Sequence, residues 1–130
     1  MQINQSIIEL EQAVAVNLLG FLKSAKMGDR KYEAEVLWLS AEGVLIRTEF
    51  SSSVGEEIYL TLQYEKPLEL SGIVKRYQNW NNEKKEFYIS FNQTLPPKSQ
   101  ELQQIIDYYF RLQKAGVTFS SQDFQEKRKT

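Results

Sequence analysis

LWLSAEGVLIRT, from Leu37 to Thr48, holds two apolar runs with a short break between them. The first run halts at Ser40, and the second begins at Gly43, three residues later. Two strands joined by a tight turn have this pattern, and so does a loop that cradles a ligand. A serine in such a break hydrogen-bonds its own turn, and a glycine accepts a positive φ. The break is therefore expected to be a hairpin turn, with Ser40 bonded locally and Gly43 at positive φ. Its flanks agree, because alternation of apolar and polar residues marks a half-buried strand. KYEAEVLWL puts Tyr32, Ala34, Val36 and Trp38 on one face, against Glu33 and Glu35, so Trp38 is expected to pack on the barrel with Tyr32 and Val36. VLIRTEF sets Val44, Ile46 and Thr48 opposite Leu45 and Arg47.

The same period extends in both directions. Upstream, AVAVNLLGFLK aligns Val14, Val16, Leu18 and Leu22, with Gly20 as a bend or bulge, and SAKMGDR reads as a turn with Gly28-Asp29 at its tip. Downstream, EIYLTLQY turns Ile58, Leu60 and Leu62 inward, and LELSGIVKRY follows. QNWNNEKK is a polar hairpin tip, and EFYISF closes the series with Phe87, Ile89 and Phe91 on one face. Six short strands in hairpin succession need closure or cover, because an open sheet exposes pairing edges. The chain then changes period: Leu102, Ile105, Ile106, Tyr109 and Leu112 recur at helical spacing, with Pro97 at the start, Arg111 and Lys114 in the last turn and Gly116 beyond it. The expected architecture is mainly β, a six-stranded antiparallel barrel with one C-terminal α-helix. Residues 1–12 form an N-terminal segment, 13–116 the barrel and helix, and 117–130 a polar tail carrying Val117, Phe119 and Phe124.

Composition removes much chemistry. The 130 residues include no histidine and no cysteine, which takes away the common general base, the thiol nucleophile and most transition-metal sites. Glycines lie singly, so neither phosphate-cradling motif is present. No enzyme, resident cofactor or metal is expected. A net charge of −1 and a pI near 5.6 give no basic field for nucleic acid. No apolar run reaches the length of a membrane span, and MQINQSIIELEQ lacks the charged and apolar regions of a signal peptide, so a cytoplasmic protein is expected.

In their order and spacing, VAVNLLGFL, LSAEGVLIRT, GEEIYLTL, LSGIVKRY, FYISFNQTLPP and ELQQIIDYYF resemble a PilZ domain. That family is a six-stranded barrel followed by a helix, and it is known for binding the bacterial second messenger cyclic di-GMP. Its ligand motifs are an arginine pair, RxxxR, ahead of the first strand and (D/N)xSxxG in the turn between strands two and three. On this resemblance Ser40 and Gly43 hold the Ser and Gly positions, while Trp38 replaces the acidic or amide residue that would meet a guanine edge. Glu9 and Ala13 fall at or near the arginine positions, and residues 1–21 contain no Arg or Lys. Each lost charge-assisted bond is worth about 1.5–3 kcal/mol, so losing two weakens a micromolar site by roughly two to four orders of magnitude.

The resemblance implies a non-catalytic regulatory module in motility, pilus, exopolysaccharide or biofilm control. With the ligand motif degenerate at Ser40, Gly43 and Trp38, the expected partner is another protein. Cyclic di-GMP is not favoured, and a homodimer is an option. Trp80, in its hydrophilic hairpin, and Tyr108 and Phe110, in excess of one helix stripe, are the interface candidates. An alternative keeps the nucleotide in a rearranged site built from Arg30, Lys31, Arg47 and Arg76 with Ser40. Lys26 and Arg30 have KxxxR spacing but lie on the wrong side of the first strand. A third reading, a single-strand nucleic-acid binder using aromatic stacking, is opposed by the acidic pI.

Overall fold

The computed structural model describes residues 13–24, 30–119 and 124, and in the stretch from Val14 to Lys114 six strands precede a helix. The strands are β1 (Val14–Lys23), β2 (Tyr32–Leu39), β3 (Gly43–Thr48), β4 (Glu57–Gln63), β5 (Pro67–Asn79) and β6 (Lys85–Phe91). They close in the order β1-β2-β3-β6-β5-β4, every pairing antiparallel, with β4 returning to β1. Apolar residues on one parity of each strand fill the interior: Leu18, Leu22, Val36, Ile46, Leu60, Leu62, Phe87 and Ile89 are shut off from solvent. The barrel expected from the alternation is the one that forms. Glu9, Lys26 and the Gly28-Asp29 tip lie outside the described residues, as do the N-terminal segment and most of the tail.

Breaks in register lie in three strands, and the one in β2 corrects a strand face. In β2, Val36 lies opposite Ile46 but Trp38 lies opposite Leu45, which leaves Leu37 as an extra residue. Such a bulge reverses parity beyond it. Leu39 therefore enters the core, and Trp38 turns to the outer surface instead of joining Tyr32 and Val36. In β1, Val16 and Asn17 together face the single Leu37, so the irregularity lies there and not at Gly20, which pairs regularly with Ala34 and Leu62. In β5 the extra residue is Lys75, between the pairs Val74–Ile89 and Arg76–Tyr88. Without it, strict alternation would carry Arg76 into the barrel. With it, Tyr77 comes onto Phe87, ring centroids 5.5 Å apart.

Helix α1 (Lys98–Lys114) starts after Pro97, and Gly116 at φ 85° ends it as expected. Leu102, Ile105, Ile106 and Tyr109 form its buried stripe, and Leu112 packs at the stripe's end. The β1 irregularity anchors it: the Tyr109 hydroxyl donates to Asn17 Oδ1 at 2.7 Å. Phe119 packs edge-on against Tyr109, and Phe124 is buried.

Burial, aided by the neighbouring Tyr108, pushes the Tyr109 hydroxyl far above its usual pKa. An unfolded tyrosine ionises near pH 10, so the folded state resists ionisation that the unfolded state accepts. This contribution is complete below about pH 10 and is lost as pH rises beyond it. Tyr109→Phe is expected to lower stability at neutral pH by about 1 kcal/mol through the lost hydrogen bond. The same variant should lose less stability than the parent between neutral pH and pH 11, as urea unfolding at the two values will measure.

Candidate ligand and partner site

The turn between β2 and β3 is closed by its own groups, and from outside it the Phe91 amide donates to the Glu42 carbonyl at 2.8 Å. The Ser40 amide donates to the Gly43 carbonyl at 2.9 Å. The Ser40 hydroxyl donates to the same carbonyl at 3.3 Å and accepts from the amides of Glu42 (3.2 Å) and Gly43 (3.1 Å). Ser40 is buried. Gly43 does not take the expected positive φ; among the described residues only Gly55 and Gly116 do. Close approach is what demands glycine, since a Cβ here would lie 2.6 Å from the Ile89 carbonyl oxygen and 2.7 Å from the Tyr88 ring.

On the outer surface of the barrel, Ala15, Trp38, Leu45, Tyr88 and Arg76 stand in register across β1, β2, β3, β6 and β5. Leu45 and Tyr88 are buried there, with Ala13, Leu37 and Trp38 packed around them. Ala13, one of the two positions aligned with the arginine pair, thus belongs to an apolar cluster. An indole covers the surface where the motif would present a carboxylate or amide.

One step along the strands lies a charged row, Glu35, Arg47, Glu86 and Gln78, again in register. Arg47 donates to Glu86 Oε2 through Nε (3.2 Å) and Nη2 (2.8 Å), and Gln78 Nε2 donates to Glu86 Oε1 at 3.1 Å. Glu35 lies 3.8 Å from Arg47 Nη1 and accepts from Lys84 Nζ at 3.2 Å. Trp80 folds over the row with its ring centroid 3.8 Å from the Arg47 guanidinium carbon. Glu35 is only 4% exposed and Glu86 9%, although both lie outside the barrel, because the β5–β6 hairpin tip roofs them. A cleft of about 310 Å³ adjoins the row, lined by Tyr32, Glu33, Arg47, Thr48, Glu49 and Lys84.

The other basic candidates do not converge on Ser40. Arg30 and Lys31 precede β2 while Ser40 follows it, which is about 26 Å of strand at roughly 3.3 Å per residue. The Arg30 guanidinium lies 5.5 Å from the Tyr32 ring centroid. Arg47 is engaged in the charged row, and Arg76 is exposed on β5. Trp80 is 48% exposed, with one face on Arg47 and the rest open. Tyr108 and Phe110 are two residues apart and so project about 200° apart around the helix, forming no single stripe. Tyr108 leans on Tyr64 at 6.1 Å, and Lys114 covers Phe110 at 4.7 Å. Among the described residues no three potential metal ligands of the His, Cys, Asp or Glu type gather, and no helix is long and apolar enough to cross a membrane.

The sequence pattern of the PilZ domain matches residues 22–111. Among solved structures, the chain is similar to the PilZ domain with c-di-GMP of YcgR from Escherichia coli, at 14% identity and a TM-score of 0.64 over 82% of this chain and 95% of that one. It is also similar to the Bacillus subtilis inhibitor of motility MotI/DgrA, at 18% identity and a TM-score of 0.61, over 82% of this chain and about half, 52%, of that one. A third likeness is the PilZ domain of CeSA from a cellulose-synthesizing bacterium, at 12% identity and a TM-score of 0.58, over 78% and 97% of the two chains. No curated protein matches.

Proposed function

The chain belongs to the PilZ domain family, and from that membership we propose that it is a cytoplasmic, non-catalytic regulatory module acting by contact with another protein, its cyclic di-GMP site weak or lost. PilZ domains are regulatory domains that bind cyclic di-GMP, not enzymes. Motility, pilus, exopolysaccharide and biofilm control are the settings that membership suggests, and the likeness to an inhibitor of motility fits the first.

One observation carries the loss of the nucleotide. The turn that holds the family's serine spends that hydroxyl on its own backbone, beside an apolar cluster of Ala13, Leu37, Trp38, Leu45 and Tyr88. A dinucleotide with two phosphates needs planar, charge-assisted donors at that surface. The cation closest along β3, Arg47, is four residues from Gly43, about 13 Å, and is bound to Glu86. Isothermal titration with cyclic di-GMP near 0.15 M salt is expected to show no binding in the low-micromolar range. Low-micromolar or tighter binding overturns this reading. In that event Arg47→Glu and Arg30→Glu decide whether a rearranged site uses those side chains.

A further inference from the structure

The barrel closes, yet β5 outruns its neighbour. It has 13 residues, and β4 pairs only with the part from Pro67 to Ile73. Val74 is the last residue held on that side: its carbonyl accepts from the Gly55 amide at 2.8 Å, and its amide donates to the Glu56 carbonyl at 3.0 Å. Gly55, at φ 94°, takes the chain out of extended conformation there. Among the described residues, the stretch from Lys75 to Asn79 has β6 as its sole strand partner.

The hydrogen-bond phase of that stretch follows from its two ends. Val74 aims its backbone groups away from β6, whereas the Trp80 amide donates toward it, to the Lys84 carbonyl at 2.9 Å. An antiparallel ladder alternates inward and outward groups. Counting back from Trp80, Gln78 and Arg76 face β6, and Tyr77 and Asn79 present their N–H and C=O to the open edge. Tyr77 (44% exposed) and Asn79 are both accessible. Their side chains lie on the Phe87 side of the sheet, and the Arg76 side chain lies on the other.

An exposed edge invites pairing with any strand, and proteins guard such edges with cations and bulges. Here Lys75 is both, and Arg76 follows it. A second copy adding antiparallel would set these cations against its own. A strand carrying carboxylates meets no such penalty and gains from the same charges. From this complementarity we infer that the Lys75–Asn79 edge docks an extended acidic segment of a partner protein, added beside β5 as an extra strand. Its carboxylates lie on the Arg76 side, and its apolar residues lie beside the exposed Tyr77 ring. The inference rests on the adaptor reading and names its contact surface.

The test uses the full chain and a short capped peptide alternating valine and glutamate, with the valine–lysine peptide as control, read by amide NMR. Before peptide is added, the Tyr77 and Asn79 amides should exchange with solvent much faster than those of Gln78 and Arg76. Added acidic peptide should shift the Tyr77 and Asn79 signals and slow their exchange, and the lysine peptide should leave them unchanged. Asn79→Pro removes an outward donor without touching the ladder to β6 and should weaken binding at least tenfold. The Lys75→Glu, Arg76→Glu pair should reverse the preference between the two peptides. Equal protection of all four amides in the free protein overturns the inference, as do shifts centred elsewhere or an unchanged preference in the charge-reversed variant. These outcomes are independent of cyclic di-GMP titration, which tests the adaptor reading alone.

Discussion

Arg47→Met is expected to destabilise the protein by about 3–5 kcal/mol, among the largest losses available to a surface-derived side chain. Its guanidinium lies between Glu86, Glu35 and the Trp80 ring, and its own side chain is only 16% exposed. Methionine fills similar volume but takes the guanidinium away from two carboxylates under the hairpin tip, which Lys84 and Gln78 also bind. Breaking one member of a buried ionic group is costly because the remaining charge stays desolvated. Replacing the group together is not. Arg47→Met combined with Glu35→Leu and Glu86→Leu should recover at least half of the loss. Urea unfolding of the three proteins measures this, and a single variant within about 1 kcal/mol of the parent would show that the row is not a coupled unit. Trp80 emission should also move to longer wavelength in the single variant, as its inner face loses the guanidinium.

The row bears on presentation of the β5 edge. A two-stranded arm is marginal by itself in water. Trp80 stacked on Arg47 and Lys84 paired with Glu35 tie the tip of this arm to β3 and β2. The arm is thereby held rigid where β4 no longer supports it, so an added strand meets an ordered edge and avoids the entropy of ordering one. A buried ionic cluster contributes little net stability, and geometry is the better account of it.

Alternation of residue types was enough to read six strands, their closure and the helix with its terminal glycine, because those features depend on near neighbours in sequence. The bulges were not legible. Trp38 and Leu39 are both apolar, and only the cross-strand partner Leu45 decides which one faces outward. The charged row was invisible for the same reason. Outer parity placed Glu35 and Arg47 on solvated faces, whereas their burial depends on Glu86, 39 residues beyond Arg47, and on a hairpin tip folding back. Trp80 was legible as unusual, but not as the roof of that row. At the turn, Ser40 acts as its residue type suggests, and Gly43 does not, because close packing and positive φ both select glycine.

Gly43→Val is expected to destabilise by about 3 kcal/mol, at the upper end for an overpacked site. Even the first added carbon would lie 2.6 Å from the Ile89 carbonyl oxygen, which belongs to the β3–β6 ladder and cannot yield without parting the strands. The Tyr88 ring, 2.7 Å away, closes the other approach from within the outer apolar cluster. Asparagine separates the two reasons for a glycine here. If positive φ were the requirement, Gly43→Asn would be well tolerated, because asparagine adopts that conformation readily. Close approach requires instead that Gly43→Asn unfold at least as early in urea as Gly43→Ala, and a clearly milder asparagine variant would refute it. Tyr88→Leu in the Gly43→Ala background should recover only part of the loss, since the carbonyl contact remains. A glycine demanded by its neighbouring strand is needed whether or not a nucleotide binds. Its presence in the Ser-x-x-Gly turn therefore argues for the barrel and carries no weight for a retained ligand.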